Sequence, residues 1–226
     1  MWETILQYLP AMSSGLLITV ELMICSLIVG LLLAIIFTLC HATDKFYLKA
    51  PIDAFVFFMR GTPLLVQIFI IYYGSGQWAW LRTTFLWDIL RHPFGCATVA
   101  LALNSAAYTT ALLTGAIRAV PNGEIEACQV LGFSQWQMLR RIIFPRASRL
   151  ALPAYSNEVI MILKSTSLAS TITLLDLMGV MRQLIAQTFE VLPFFITAGI
   201  FYLALNALII GIFKWLEKKY RVIVVR

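Results

Sequence analysis

The run SSGLLITVELMICSLIVGLLLAIIFTLC, residues 13–40, carries one charge, Glu21, and is otherwise apolar or small from end to end. A hydrocarbon layer about 30 Å thick needs roughly 20 such residues in a helix, so Ser13 to Cys40 reads as a membrane span with length to spare. The rest of the chain agrees with it. Of 226 residues, 61% are hydrophobic and only 12% are charged, with a mean hydropathy of +0.87. A soluble domain is nearer ~45–50% apolar. The expected fold is an all-α membrane protein of about five transmembrane helices in a single unit covering residues 1–226, with no room for a separate globular catalytic domain. The start, Met1 to Pro10, lacks a basic segment, and the apolar run is too long for a signal-peptide core.

Working outward, the first span ends in the polar stretch His41 to Lys49. A second span is expected from Ile52 to Gly74, interrupted by Arg60-Gly61-Thr62-Pro63, where proline removes a backbone donor and starts or bends a helix. Ser75 to Pro93 reads as a surface loop with the interfacial aromatics Trp78, Trp80 and Trp87. Further spans are expected at residues 96–117, 150–175 and 194–215, with a long polar segment, Arg118 to Arg149, between the third and fourth.

Five spans put the chain ends on opposite sides. Placing His41–Lys49, Arg118–Arg149 and the C-terminal segment in the cytoplasm gathers Lys45, Lys49, Arg60, Arg118, Arg140, Arg141, Arg146, Arg149, Lys214, Lys218, Lys219, Arg221 and Arg226 on that side. Arg82, Arg91 and Arg182 remain outside. The positive-inside rule then predicts N-out, C-in, and the net charge of +6 is accounted for by topology rather than by nucleic acid. Cys25, Cys40, Cys96 and Cys128 have no paired spacing and read as packing residues, with no disulfide framework or metal cluster.

The polar segment is itself structured. Gly123 to Gly132 is a short helix closed by a glycine where a left-handed cap is needed. Ser134 and Gln137 fit a capping box for a second helix, whose apolar face, Trp136, Leu139, Ile142 and Ile143, is expected to stop before Pro145. Periodicity alone allows an amphipathic loop resting on the membrane.

Glu126-Ala127-Cys128, Gly132, Ile142 and Pro145 resemble the coupling-loop pattern of the ABC-importer permeases. Cys128 stands for a second alanine and Phe144 for a leucine. Arg60 to Gln67, Leu103 to Tyr108, Gly115 to Arg118 and Ser156 to Val159 are similar to the polar amino-acid branch, which includes histidine and arginine transporters. The likeness is greatest to its M-type subunits. It implies that Glu126, Ala127, Cys128 and Gly132 dock an ATPase subunit dimer that binds ATP and Mg. It also implies that an extracytoplasmic binding protein delivers the amino acid, and that the chain lies in a bacterial inner membrane as a multi-pass protein. This chain has no Gly-rich phosphate loop and is not expected to hydrolyse ATP or to hold a cofactor.

Glu158 is expected at membrane depth, about 12 Å into the fourth span at 1.5 Å per residue. A charge there costs about 2.5–3.5 kcal/mol on insertion scales, so it needs a partner or a wet cavity. It either receives the cationic group of a substrate, with Asn157, Ser165 and Thr166 adding hydrogen bonds, or pairs with a basic residue of another span or chain. Lys164 is rotated away from it on an ideal helix. The resemblance adds Ser105, beside the cavity, and Thr62 is a candidate at the break; the other small and polar residues of the third span read as helix packing. Glu21 is placed to snorkel.

Three departures from the family pattern bear on assembly: Ala111 replaces a glutamate, Thr114 an arginine and Ser165 an aspartate. They imply a subunit that works beside a related, non-identical permease. The leading function is the permease of an ATP-driven importer for arginine, histidine, lysine or ornithine. An ion-coupled secondary transporter is the alternative, against which stands the lack of a visible internal repeat.

Overall fold

The computed structural model describes residues 2–43 and 45–220; Met1, Arg221 and Arg226 lie outside the described residues. Three helices are each long and apolar enough to cross a membrane: α1 (Trp2–His41), α5 (Pro93–Arg118) and α10 (Val191–Lys219). Two bent pairs raise the total to as many as five crossings. The first pair is α2 (Phe46–Gly61) with α3 (Leu64–Ser75), bent by 105°; the second runs from Gln135 through Ile172 and then, bent by 48°, into Leu177–Thr188.

α1 starts well before Ser13, because its first turns have something to pack on. Ile5 and Met12 are buried against Leu177, Val180, Met181 and Leu184 of α9 (Leu177–Thr188) and against Phe194 of α10. α9 lies in a stretch where no span is expected, although Leu177, Val180, Met181, Leu184 and Ile185 fall at helical spacing along one face. Asp176 caps it, its Oδ1 accepting from the Gly179 N–H at 3.0 Å. The Thr19 hydroxyl of α1 accepts the Leu177 N–H at 2.9 Å and donates to the Gly15 carbonyl at 3.0 Å. A Cβ on Gly15 would stand 3.1 Å from the Leu177 Cα, so glycine here lets the two helices touch.

The segment Ser75 to Pro93 contains a single 3₁₀ turn, Leu81–Thr83, and the one-turn α4 (Trp87–Leu90), with Trp78 and Trp80 stacked and exposed. α5 is the central helix: its small residues Cys96, Ala97, Ala100, Ala102, Ala106 and Ala107 are buried, so neighbouring backbones approach closely.

α6 (Asn122–Val130) and α7 (Gln135–Met138) form the helix pair read from the polar segment. Gly132 sits at φ +74°, and Ser134 and Gln137 exchange both bonds of the capping box. The expected stop before Pro145 does not occur. A widened π turn, Leu139–Ile143, in which the Phe144 N–H reaches the Leu139 carbonyl, carries the helix on into α8 (Phe144–Ser165). Widening gives the proline ring room that a regular α turn denies it. The fourth span then tightens into a 3₁₀ stretch, Thr166–Ile172, and turns at Thr173, φ 66°.

Candidate functional site

The break in the second span is a built hinge rather than a kink. The Gln67 side-chain amide, buried at the start of α3, donates to the Met59 carbonyl at 2.8 Å and to the Thr62 carbonyl at 3.2 Å and hydroxyl at 2.8 Å. Its Oε1 accepts from the Asn104 amide of α5 at 3.0 Å. The Thr62 hydroxyl in turn donates to the Phe58 carbonyl at 2.9 Å. Carbonyls released by the Pro63 interruption are thereby satisfied inside the bundle, where no water would do it. Thr62 thus has both its donor and an acceptor position engaged, and its place is in this clasp. Gln67 and Asn104 lie within motif stretches quoted above, but nothing in their spacing tells that they meet.

Replacing Gln67 by leucine keeps the volume and strips the clasp of its centre. The Asn104 amide and the Met59 carbonyl keep only their 3.4 Å contact with each other, and the Thr62 carbonyl loses its partner, at about 1–3 kcal/mol for each group left unpaired. Thermal unfolding of the purified assembly in detergent is expected to move clearly downward; an unchanged melt would remove the clasp from the account of stability.

The hinge also sets Arg60. Its guanidinium lies 5.2 Å from the centroid of Tyr108, near the middle of α5, and both side chains are exposed. Arg60 therefore does not belong with the basic residues at the α6–α7 end, as its sequence neighbours suggest: α2 carries it inward. An exposed guanidinium at that depth is costly against lipid and needs a polar cavity or a second chain.

Glu158 is 8% exposed, on the face of α8 that meets α5. Ser105 is its polar neighbour across that contact, within electrostatic reach, while the Ser105 hydroxyl meets no partner in hydrogen-bond geometry. α1 closes over the back of Ser105, since a Cβ on Gly30 would lie 3.1 Å from the Ser105 Cβ and 3.0 Å from the Ala102 carbonyl. Among the described residues no basic group forms an ion pair with Glu158. Asn157, Met161 and Lys164 line the exposed stripe of α8 beside it, and Ser165 is half-buried at the end of the helix. Thr166 is fully buried, its hydroxyl donating to the Leu163 carbonyl at 2.7 Å, and so stands apart from the exposed stripe. Glu21 is exposed on α1. The structure brings Glu158 and Ser105 together, with Asn157 next in sequence; it does not bring Thr62 or Thr166 to them by any hydrogen bond.

At the other end, Glu126 and Ala127 are exposed on α6 while Cys128 is buried beneath them. Val130 and Leu131, at 88% and 73% exposure, point away from the chain. Arg146 of α8 meets Glu124 of α6 at 2.9 Å and ties the helix pair to the fourth span.

A bundle of long apolar helices, one of them broken and clasped within the bundle, with a stiff polar helix pair fixed to the base of another, defines a multi-pass membrane protein. The chain belongs to the family of binding-protein-dependent transport system inner membrane components, whose model matches residues 26–222. It is 42% identical over 217 residues, 96% of this chain and 87% of the relative, to an octopine transport system permease protein, OccM, of Rhizobium radiobacter. It is 40% identical over 94% of its length to the arginine ABC transporter permease protein ArtM of Haemophilus influenzae, covering 93% of that protein. The histidine/lysine/arginine/ornithine permease protein HisM of Escherichia coli K12 is 41% identical over 92% of this chain and 87% of its own. A solved amino acid ABC transporter superposes with a TM-score of 0.87 at 27% identity, covering 97% of this chain and 98% of that one.

Proposed function

We propose that this chain is one of two unlike permease subunits in an importer of cationic amino acids, and that Glu158 receives the cationic end of the substrate. The observation that carries the reading is a nearly buried carboxylate inside the fourth span, beside an unpartnered serine hydroxyl, with no basic side chain of its own chain paired to it. Leaving such a group charged in the membrane is unfavourable unless something positive visits it. The relatives named above for arginine, histidine, lysine, ornithine and octopine all take amino acids or derivatives bearing a basic group.

Arg60 with Tyr108, and the stripe Asn157, Met161 and Lys164, mark the face that meets the second permease and encloses the path. An N-out, C-in orientation is supported by ten basic residues outside the hinge that cluster on the α6–α7 side: Lys45, Lys49, Arg118, Arg140, Arg141, Arg146, Arg149, Lys214, Lys218 and Lys219. Glu126, Ala127, Cys128 and Gly132 form the docking loop for an ATPase dimer, which supplies the ATP hydrolysis, and an extracytoplasmic binding protein supplies the substrate.

Uptake into proteoliposomes holding this chain, its candidate permease partner, the ATPase and the binding protein tests the reading directly. Uptake of arginine, histidine, lysine or ornithine that requires ATP is the expected result. Transport confined to neutral or acidic amino acids would overturn the substrate class. Uptake driven by a sodium or proton gradient without ATP would overturn the mechanism, and full activity with this chain as the sole permease would overturn the unlike pair.

A further inference from the structure

At the α6–α7 end, outside the face assigned to substrate, two recesses run into one another. The first, of about 240 Å³, is an apolar groove between α1, α5 and α8, walled by Leu31, Ile35, Leu113 and Leu152. The second, of about 880 Å³, opens from it toward the chain's polar end, and its rim carries Lys45, Arg118 and Trp136. Thr38, Leu39, Ile117 and Leu139 line both.

Thr38 lies where the two recesses meet, and Thr114 lines the second. Thr38 is 5% exposed, yet its hydroxyl has no hydrogen-bond partner, and neither does the Thr114 hydroxyl on the facing wall. The buried Thr19 and Thr110 turn their hydroxyls onto the carbonyl four residues back, as helical threonines readily do. Ser26 and Thr109, deeper on the same helices, also leave their hydroxyls unbonded, but Thr38 and Thr114 are the two that line a recess, where a polar ligand atom would relieve the desolvation cost. Above them, Arg118 and Lys45 are exposed and have no carboxylate partner among the described residues. His41, which shares the rim, is engaged with Asp53 at 3.0 Å.

Apolar groove, unbonded hydroxyls, two cations and an interfacial indole line the two recesses from the groove to the polar end. That order matches a single ligand chemistry: an acyl chain, its ester linkage, and a negatively charged phosphate headgroup at the membrane surface. We propose that this recess is a binding site for one anionic phospholipid, its chain against Leu113 and Leu152, its ester oxygens on Thr38 and Thr114, and its phosphate between Lys45 and Arg118. Assigning the lipid to the cytoplasmic leaflet rests on the orientation proposed above; the site itself does not. Such a lipid would brace the base of α1 against the π turn at Leu139, through which the helix pair is joined to the fourth span.

The test uses the full transporter assembly in micelles doped with equal amounts of phosphatidylglycerol and phosphatidylcholine of identical chains, read by native mass spectrometry as tightly retained lipids per copy of this subunit. One phosphatidylglycerol is expected to be retained, favoured over phosphatidylcholine by about 25-fold, at roughly fivefold per basic side chain. K45Q/R118Q is expected to bring the two lipids to parity, and K45R/R118K to keep the preference. L152W, which fills the groove, is expected to expel the lipid of either headgroup. Glycerol phosphate, a headgroup without chains, is expected not to compete. Equal retention in the native assembly, a preference that survives K45Q/R118Q, retention that survives L152W, or displacement by glycerol phosphate would each overturn the proposal. None of these readouts depends on transport, so they leave the substrate assignment to its own experiment.

Discussion

Glu158→Gln is expected to cut uptake of arginine and lysine by about tenfold to a hundredfold at limiting substrate, while assembly with the ATPase and basal ATP hydrolysis stay intact. The substitution keeps the shape and one acceptor oxygen while removing the charge and turning the other oxygen into a donor. A hydrogen bond to a charged group contributes about 1.5–3 kcal/mol, which sets the size of the effect. Uptake of citrulline, in which a neutral ureido group replaces the guanidinium of arginine, has no side-chain cation to lose and should change far less. Ser105→Ala is the milder companion, since it removes a neutral hydroxyl facing the same carboxylate. Should Glu158 instead pair with a basic residue of the second permease, the variant would weaken assembly and affect all substrates alike. Unchanged uptake with intact assembly would take the carboxylate out of the substrate path.

Much of this arrangement is legible in the residues, because hydropathy reports burial in lipid and turn chemistry reports local geometry. The long apolar runs locate α1, α5 and α10, and Gly132 with Ser134 and Gln137 fix the helix pair down to its cap bonds. Other features depend on contacts between segments distant in sequence. The early start of α1 depends on its packing against α9, whose helical period is visible in the residues but whose contact with the far end of the sequence is not. Pro145 reads as a stop, because the same residue can end a helix or ride inside a widened turn, and only the packing of Ile143 and Ala147 on Ala116 and Val120 decides between them. Arg60 reads with the basic end from its sequence neighbours, but the break at Pro63 leaves its helix running inward. Thr62 looks like a free hydroxyl at a break until Gln67, five residues on, closes over it.

The second large effect is expected at the exposed end of α6. Val130→Asp with Leu131→Asp should release the ATPase subunit, weakening docking at least thirtyfold if either side chain is an interface anchor worth 2 kcal/mol or more. The two residues are almost fully exposed in the isolated chain, so acidic replacements there remove almost no contact within it, and the chain should still reach the membrane and pair. Two such side chains at the end of α6, within the polar segment, make an apolar patch that a lone subunit gains nothing by keeping. What distinguishes docking from force transmission is the tie beneath. Glu124 and Arg146 are about one-third exposed, so their ion pair adds little to stability, yet it joins α6, the helix proposed to dock, to the base of the span that holds Glu158. Glu124→Ala should therefore leave the ATPase bound and lower the substrate moved per ATP hydrolysed. Undiminished recovery of the ATPase with the double aspartate variant would place docking elsewhere on the chain. An unchanged transport-to-hydrolysis ratio in Glu124→Ala would mean that the push travels through the α7 and π-turn connection alone.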